Sequence, residues 1–138
     1  MEFILTGQAG ERQRFVEAFE AFCRNNDVPA PTRHAADVAL EEHLTNVFSY
    51  GYKSDVRPLI TVRLAVAENS LKVEVSDDAW AFDPLSVPPV DTSLPLEKKP
   101  IGGLGLHLIR LSMDELSYVR EGEKNVFRMT KRFPASAR

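Results

Sequence analysis

Two neighbouring runs of alternating side chains, 59–66 and 71–77, constrain this chain more than any other feature. The first reads Leu-Ile-Thr-Val-Arg-Leu-Ala-Val and the second Leu-Lys-Val-Glu-Val-Ser-Asp. Glu68-Asn69-Ser70 lies between them as a turn. A period of two sends successive side chains to opposite faces, so the pair predicts a hairpin with one apolar face. A second hairpin is predicted from Leu116–Arg120 and Asn125–Phe133, turning at Glu121-Gly122-Glu123. Residues 1–6 form a short apolar opening that suits an edge strand. A sheet with one apolar face must be covered on that face.

The cover is predicted to be helical. Residues 8–25 place Phe15, Phe19 and Phe22 at spacings of four and three, with Val16 and Cys23 alongside. Asn25-Asn26-Asp27 ends that helix. After Val28-Pro29-Ala30-Pro31, a second helix is expected over 32–50. Ala35, Val38, Ala39, Leu44, Val47 and Phe48 supply its core face, and Gly51 is placed to end it. A third helix runs to about Met113 behind Gly102-Gly103-Leu104-Gly105. The fold class that follows is α+β: a two-layer sandwich with a mixed, mostly antiparallel sheet and helices on one face.

At 138 residues the chain suits a single domain spanning 1–138. Net charge is −3 without a basic run, which argues against direct nucleic-acid binding. The lone Cys23 cannot form an intrachain disulfide and reads as a small buried residue. No segment has membrane-spanning length and none opens the chain as a secretory leader, so a cytoplasmic location is the default expectation. Residues 77–100 are irregular and hold five of the nine prolines. A connector that long is usually a functional lid or disordered.

Three places carry candidate chemistry. Glu42 and Asn46 are one turn apart on the second predicted helix and share a face. The pair fits a solvated polar face. It also fits a magnesium site, since this hard cation takes oxygen ligands and accepts one side-chain carbonyl plus nucleotide phosphates. A carboxylate beside it would then receive a proton near a γ-phosphate. Asp77 and Asp78 close the strand before the long loop, as turn residues or as an acceptor for an exocyclic amine such as adenine carries. Trp80 and Phe82 would be pocket wall or hinge packing, and Asp83-Pro84 a turn. The glycine-rich stretch precedes a helix, whose free N–H groups and positive dipole end suit an anion. It is neither a Walker loop nor a dinucleotide fingerprint. His34, His43 and His107 lack metal-ligand spacing and read as surface or packing residues. Ser49 and Ser112 lack triad partners.

Read together, Glu42-x-x-x-Asn46, Asp77-x-x-x-x-Phe82-Asp83-Pro84 and Gly102-Gly103-Leu104-Gly105-Leu106 resemble, in that order, the bacterial anti-sigma-factor serine kinases. These belong to the ATPase superfamily that includes gyrase and the ATP domain of sensor histidine kinases. The resemblance covers about residues 10–133. It implies the histidine-kinase-like ATPase fold, with ATP between helices and sheet under a mobile lid at about 85–100. It implies ATP and Mg2+ as cofactors, Glu42 as general base, Asn46 as the magnesium ligand and Asp77 as the acceptor for the adenine amino group. Gly102, Gly103 and Gly105, with the backbone of Leu104 and Leu106, would wrap the phosphates. Lys98 and Lys99 would reach phosphates from the lid.

Where the family usually has glycine two residues after the adenine-binding aspartate, this chain has Ala79. At φ > 0 an alanine there would cost about 1 kcal/mol; at negative φ it would be nearly harmless. His43 and Tyr50-Gly51 also stand where other residues are common. The function implied is phosphorylation of an anti-sigma-factor antagonist of the sulfate-transporter/antagonist (STAS) type, with control of sigma-factor availability; homodimers are frequent in the family. The alternative, favoured by Ala79, is a non-catalytic ATP-binding regulator that sequesters a sigma factor or another signalling partner.

Overall fold

A computed structural model describes residues 1–53, 55–86 and 103–135, with only the backbone of Gly103 and Leu104. The elements follow in the order β1 (Glu2–Leu5), α1 (Glu11–Asn25), α2 (Ala30–Tyr50), β2 (Ile60–Ala67), β3 (Ser70–Asp77), α3 (Gly103–Ser112), β4 (Glu115–Glu121) and β5 (Lys124–Arg132). A single 3-10 turn, Pro84–Ser86, interrupts the segment after β3. The strands form one sheet in the order β1-β2-β3-β5-β4. All four pairings are antiparallel, so the expected mixed sheet has no parallel member among the described residues.

Both hairpins form where the alternation places them. Glu68 and Asn69 take left-handed φ values of 53° and 58°, as a two-residue turn with right-handed strand twist requires. Register then sorts the side chains. One inner row runs Phe3, Val62, Val75, Phe127 and Tyr118 across all five strands. The row beside it runs Leu5, Ile60, Asp77, Asn125 and Arg120. The inner face is therefore apolar along most of its length and turns polar at one end.

The outer face differs. There Glu2, Arg63, Glu74, Arg128 and Ser117 stand side by side. Arg63 bridges Glu2 at 2.7 Å and Glu74 at 2.9 Å, and Arg128 reaches Glu74 at 2.9 Å. Alternating charge keeps this face solvated and sends the helices to the other one.

All three helices contribute to one core with the inner rows. The Phe15 ring of α1 meets Phe3 of β1 edge-on at 5.3 Å. Cys23 is fully buried, and burial pushes its thiol up to about 11, so it packs and does not react. Helix α1 begins three residues later than expected, after Gly10 in a left-handed conformation. The core face of α2 is shifted from the predicted one. Thr32, Ala36, Leu40 and His43 are buried together with Ala39, Leu44 and Val47, while Ala35, Val38 and Phe48 are half-buried. Alanines on several faces leave this helix without a sharp apolar stripe, so its rotation is set by packing between the sheet and α3.

Glu74 carries the centre of the charge ladder. Replacing it as Glu74→Gln is expected to lower stability by about 1 kcal/mol at low salt, as several linked pairs lose their shared anion. Urea titrations should show the loss shrinking at about 0.5 M salt, where exposed charges are screened.

Candidate functional site

A cavity of about 430 Å3 opens between α2, α3 and the polar end of the inner face. From the sheet it takes Asp77, Asn125, Phe127 and Tyr118. From α2 it takes His43, Asn46, Val47, Tyr50 and Gly51. Those positions step by three, one, three and one, which is a single stripe of one helix.

Asp77 is the last inner-facing residue of β3 and only 3% exposed. Its Oδ1 accepts the Ala79 N–H at 3.0 Å and the Asn125 side-chain amide at 2.9 Å. Among the described residues its Oδ2 accepts no hydrogen bond. Burial raises the carboxyl above its ordinary value, and the two hydrogen bonds pull in the opposite direction. The result is a fixed carboxylate with one oxygen held and one available to a donor.

Asp78 faces the other way, as strand alternation demands. It accepts the Tyr52 hydroxyl and the Leu59 N–H, tying the segment after α2 to the start of β2. Burial raises the Tyr52 hydroxyl pKa, and the Asp78 carboxylate raises it further. The two adjacent acids thus divide between a cavity wall and a structural clasp.

Sequence reasoning missed Asn125. It directly opposes Asp77 in the β3–β5 register. Its amide also donates to the Trp80 carbonyl at 2.7 Å, and its oxygen accepts Tyr118 Oη at 2.5 Å and the Phe82 N–H at 3.2 Å. One side chain therefore fixes Asp77 and the 79–82 segment together. An asparagine just after a hairpin turn reads as turn chemistry; only the register between distant strands reveals it. Arg120, next in the row, binds the Ala79 carbonyl at 3.0 Å.

Ala79 carries no backbone strain. Among the described residues only Asp27, Glu68 and Asn69 combine a side chain with left-handed φ. The methyl group instead packs against Gly51. A Cβ built on Gly51 would stand 2.8 Å from the Ala79 Cβ and 2.6 Å from the Val47 carbonyl oxygen. Gly51 ends α2 at φ −84°, a right-handed value, so it is there for room and not for a left-handed turn. The two departures from the family pattern, at 51 and at 79, touch each other.

Glu42 and Asn46 are half-buried and face the start of α3. A Cβ on Gly105 would fall 2.8 Å from Glu42 Oε2 and 3.4 Å from Asn46 Nδ2. Glycine there lets the helix backbone stand directly beside both side chains. Gly103, Leu104, Gly105 and Leu106 form the first turn of α3, where a loop was expected, and the Leu106 side chain is in the core. Gly102, Lys98, Lys99 and all of the expected lid at about 85–100 except Leu85 and Ser86 lie outside the described residues. Trp80 and Phe82 are 62% and 55% exposed at the cavity rim, with Lys53 Nζ 5.5 Å from the Trp80 ring centroid. They are wall, not hinge packing.

His43 is 5% exposed and pressed on the Phe127 ring at 4.5 Å, while His34 is exposed and His107 half-buried. Burial lowers the His43 pKa from 6.5 to about 4.

Two outcomes follow. Gly51→Ala should cost about 1–3 kcal/mol in chemical denaturation, because the new methyl overpacks a filled contact. Ala79→Gly in the same chain should recover part of that loss, leaving the clash with Val47. The second concerns acid. Between pH 6.5 and about 4 the unfolded chain protonates His43 and the folded chain does not. Stability therefore falls as pH drops through that window, by up to about 3 kcal/mol. Asp77 works the other way, since its raised carboxyl takes up a proton more readily in the folded state. Subtracting the stability profile of His43→Leu from that of the unaltered chain should isolate the histidine contribution.

Residues 8–131 match the family model for the histidine kinase-like ATPase domain. The chain is 36% identical over 98 residues to serine-protein kinase RsbW of Bacillus thuringiensis (strain Al Hakam), covering 68% of this chain and 60% of that protein. The protein of the same name from Bacillus cereus (strain ATCC 10987 / NRS 248) is 35% identical over the same shares. The chain thus spans about three-fifths of the length of these relatives. Among solved structures, the histidine kinase domain of the Erythrobacter litoralis blue-light activated histidine kinase superposes with a TM-score of 0.53. It is 19% identical, over 76% of this chain and 46% of that one, a likeness of fold. With the family model matching nearly its whole length, this chain belongs to the histidine kinase-like ATPase domain family.

Proposed function

We propose that this domain binds ATP with magnesium and passes the γ-phosphate to a serine of an anti-sigma-factor antagonist of the STAS type, so controlling how much sigma factor is free. The observation that carries the reading is the polarity of one cavity. At one end is a buried carboxylate with an available oxygen on Asp77. Asn46 lines the same cavity, and beside it the Glu42–Asn46 pair meets a glycine-cleared helix start. The order of groups suits a nucleotide: a base donor at the sheet, an anionic tail at α3. The relatives named serine-protein kinases support the choice of a protein hydroxyl as acceptor.

Asp77 would take the adenine amino group, held in place by Asn125. The first turn of α3, with Gly102 before it, would offer its free N–H groups to the phosphates through Gly103, Leu104, Gly105 and Leu106. Asn46 would supply an uncharged oxygen to the metal. Magnesium, when bound, neutralises phosphate charge during transfer. Glu42 would accept the serine proton as the new P–O bond forms, while the bond from the γ-phosphorus to the β–γ bridging oxygen breaks and ADP leaves. Positioning and charge balance are most of what phosphoryl transfer asks of a protein.

The sequestering alternative drew its support from strain at Ala79. That alanine has no left-handed φ and still donates its N–H to Asp77, so transfer is the better reading. A cytoplasmic location and a homodimer belong to the same proposal. No helix among the described residues is long and apolar enough to cross a membrane.

The test pairs calorimetry with phosphate transfer to a cognate antagonist. Glu42→Ala should keep ATP affinity and lose transfer by about a hundredfold or more. Asn46→Ala should weaken binding in magnesium while leaving metal-free binding close to the unaltered chain. Transfer by Glu42→Ala at the full rate would remove the base assignment. Absence of any heat with adenine nucleotides and magnesium would remove the function.

A further inference from the structure

His43 lines the cavity and has no part in the transfer scheme. It follows Glu42, precedes Asn46 by three residues and lines the same wall as Val47 and Tyr50. Its ring rests on Phe127, which stands one inner row from the Asp77–Asn125 pair. Its Nε2 is buried and has no hydrogen-bond partner among the described residues. An unpaired buried nitrogen costs stability, and an apolar side chain of similar size would avoid that cost. The residue lines the cavity, so a ligand atom or a trapped water that reaches this nitrogen would satisfy it.

The chemistry of the partner is restricted. Burial keeps the ring neutral at physiological pH, so it offers one donor and one acceptor and no charge. A neutral imidazole beside aromatic and aliphatic walls suits an uncharged heteroaromatic ring better than a phosphate. The place proposed for the phosphates is separate, beside Asn46 where Gly105 meets Glu42. Asp77 accepts from an exocyclic amine, and a purine bearing that amine also carries ring nitrogens that accept.

We propose that His43 is a base-contacting residue of the nucleotide site, its Nε2 hydrogen-bonding a purine ring nitrogen directly or across one water. The proposal rests on the ATP reading above and adds to it a contact specific to this chain. It makes the base, and not the triphosphate, sensitive to position 43.

His43→Leu separates the possibilities. The expected result is a higher Tm without ligand, because the orphan nitrogen is gone, together with ATP binding weakened about tenfold. Binding of inorganic tripolyphosphate, which has no base, should stay the same in both proteins. Unchanged ATP affinity would overturn the proposal and leave His43 as a core residue. Equal weakening of ATP and tripolyphosphate would overturn it too, by showing a general disturbance. An unaltered protein that binds neither would take down the nucleotide reading along with it. Should His43→Leu fail to fold, 15N-histidine spectra of the unaltered chain decide. The His43 Nε2 resonance is expected to move on adding ATP and to stay in place with tripolyphosphate; a resonance unmoved by ATP overturns the contact.

Discussion

The hydrogen bond from Asn125 to Asp77, 2.9 Å across the β3–β5 ladder, is the interaction on which the site depends. A carboxylate 97% removed from solvent is expensive unless its oxygens are paired. A cationic partner would have satisfied it and also cancelled its use as an acceptor. Asparagine satisfies one oxygen without neutralising the charge. The nearby guanidinium of Arg120 is turned to the Ala79 carbonyl, where it braces the loop. Asp77 thereby keeps one oxygen for an incoming donor such as an amine.

Asn125 does more than hold one acid. Through Trp80 and Phe82 it anchors the backbone that leaves β3, and through Tyr118 it joins β4 to the same cluster. Trp80 in turn donates to the Gly51 carbonyl at 3.2 Å, so the end of α2 is tied to the end of β3. The distance between Asn46 on that helix and Asp77 on that strand is thus set by a chain of backbone and amide hydrogen bonds. Two glycines make the approach possible. Neither Gly51 nor Gly105 is left-handed; each removes a Cβ that would collide with a functional neighbour.

Period-two alternation made both hairpins legible, because each strand has one wet and one dry face. Phe15 and Phe19 made α1 legible in the same way. Helix α2 was harder. Its alanines fit several rotations, and the buried set proved to include Ala36, Leu40 and His43 in place of Ala35 and Val38. That shift hid His43, which reads as a surface or packing histidine until the helix is rotated into place. Asn125 and Tyr118 were hidden for a different reason. The role of Asn125 depends on its pairing with Asp77, 48 residues away across β3 and β5, which no local pattern encodes, and Tyr118 enters only through its bond to Asn125. Of the residues that the motifs single out, Asn46 and Asp77 line one cavity, and Glu42 and Gly105 meet beside Asn46.

The arrangement also explains why the glycine-rich segment works as the opening of a helix and not merely as a turn. The first turn of any helix has N–H groups without internal partners. Here that turn is carried on Leu106, Ile109 and Met113, three buried side chains that fix α3 to the core. Its backbone is therefore anchored to the same core as the sheet that holds Asp77. A loop would have needed to be ordered by the ligand, at an entropic cost on each binding event. Building one end of the site on a strand terminus and the other on a helix terminus ties both ends to one core before anything is bound.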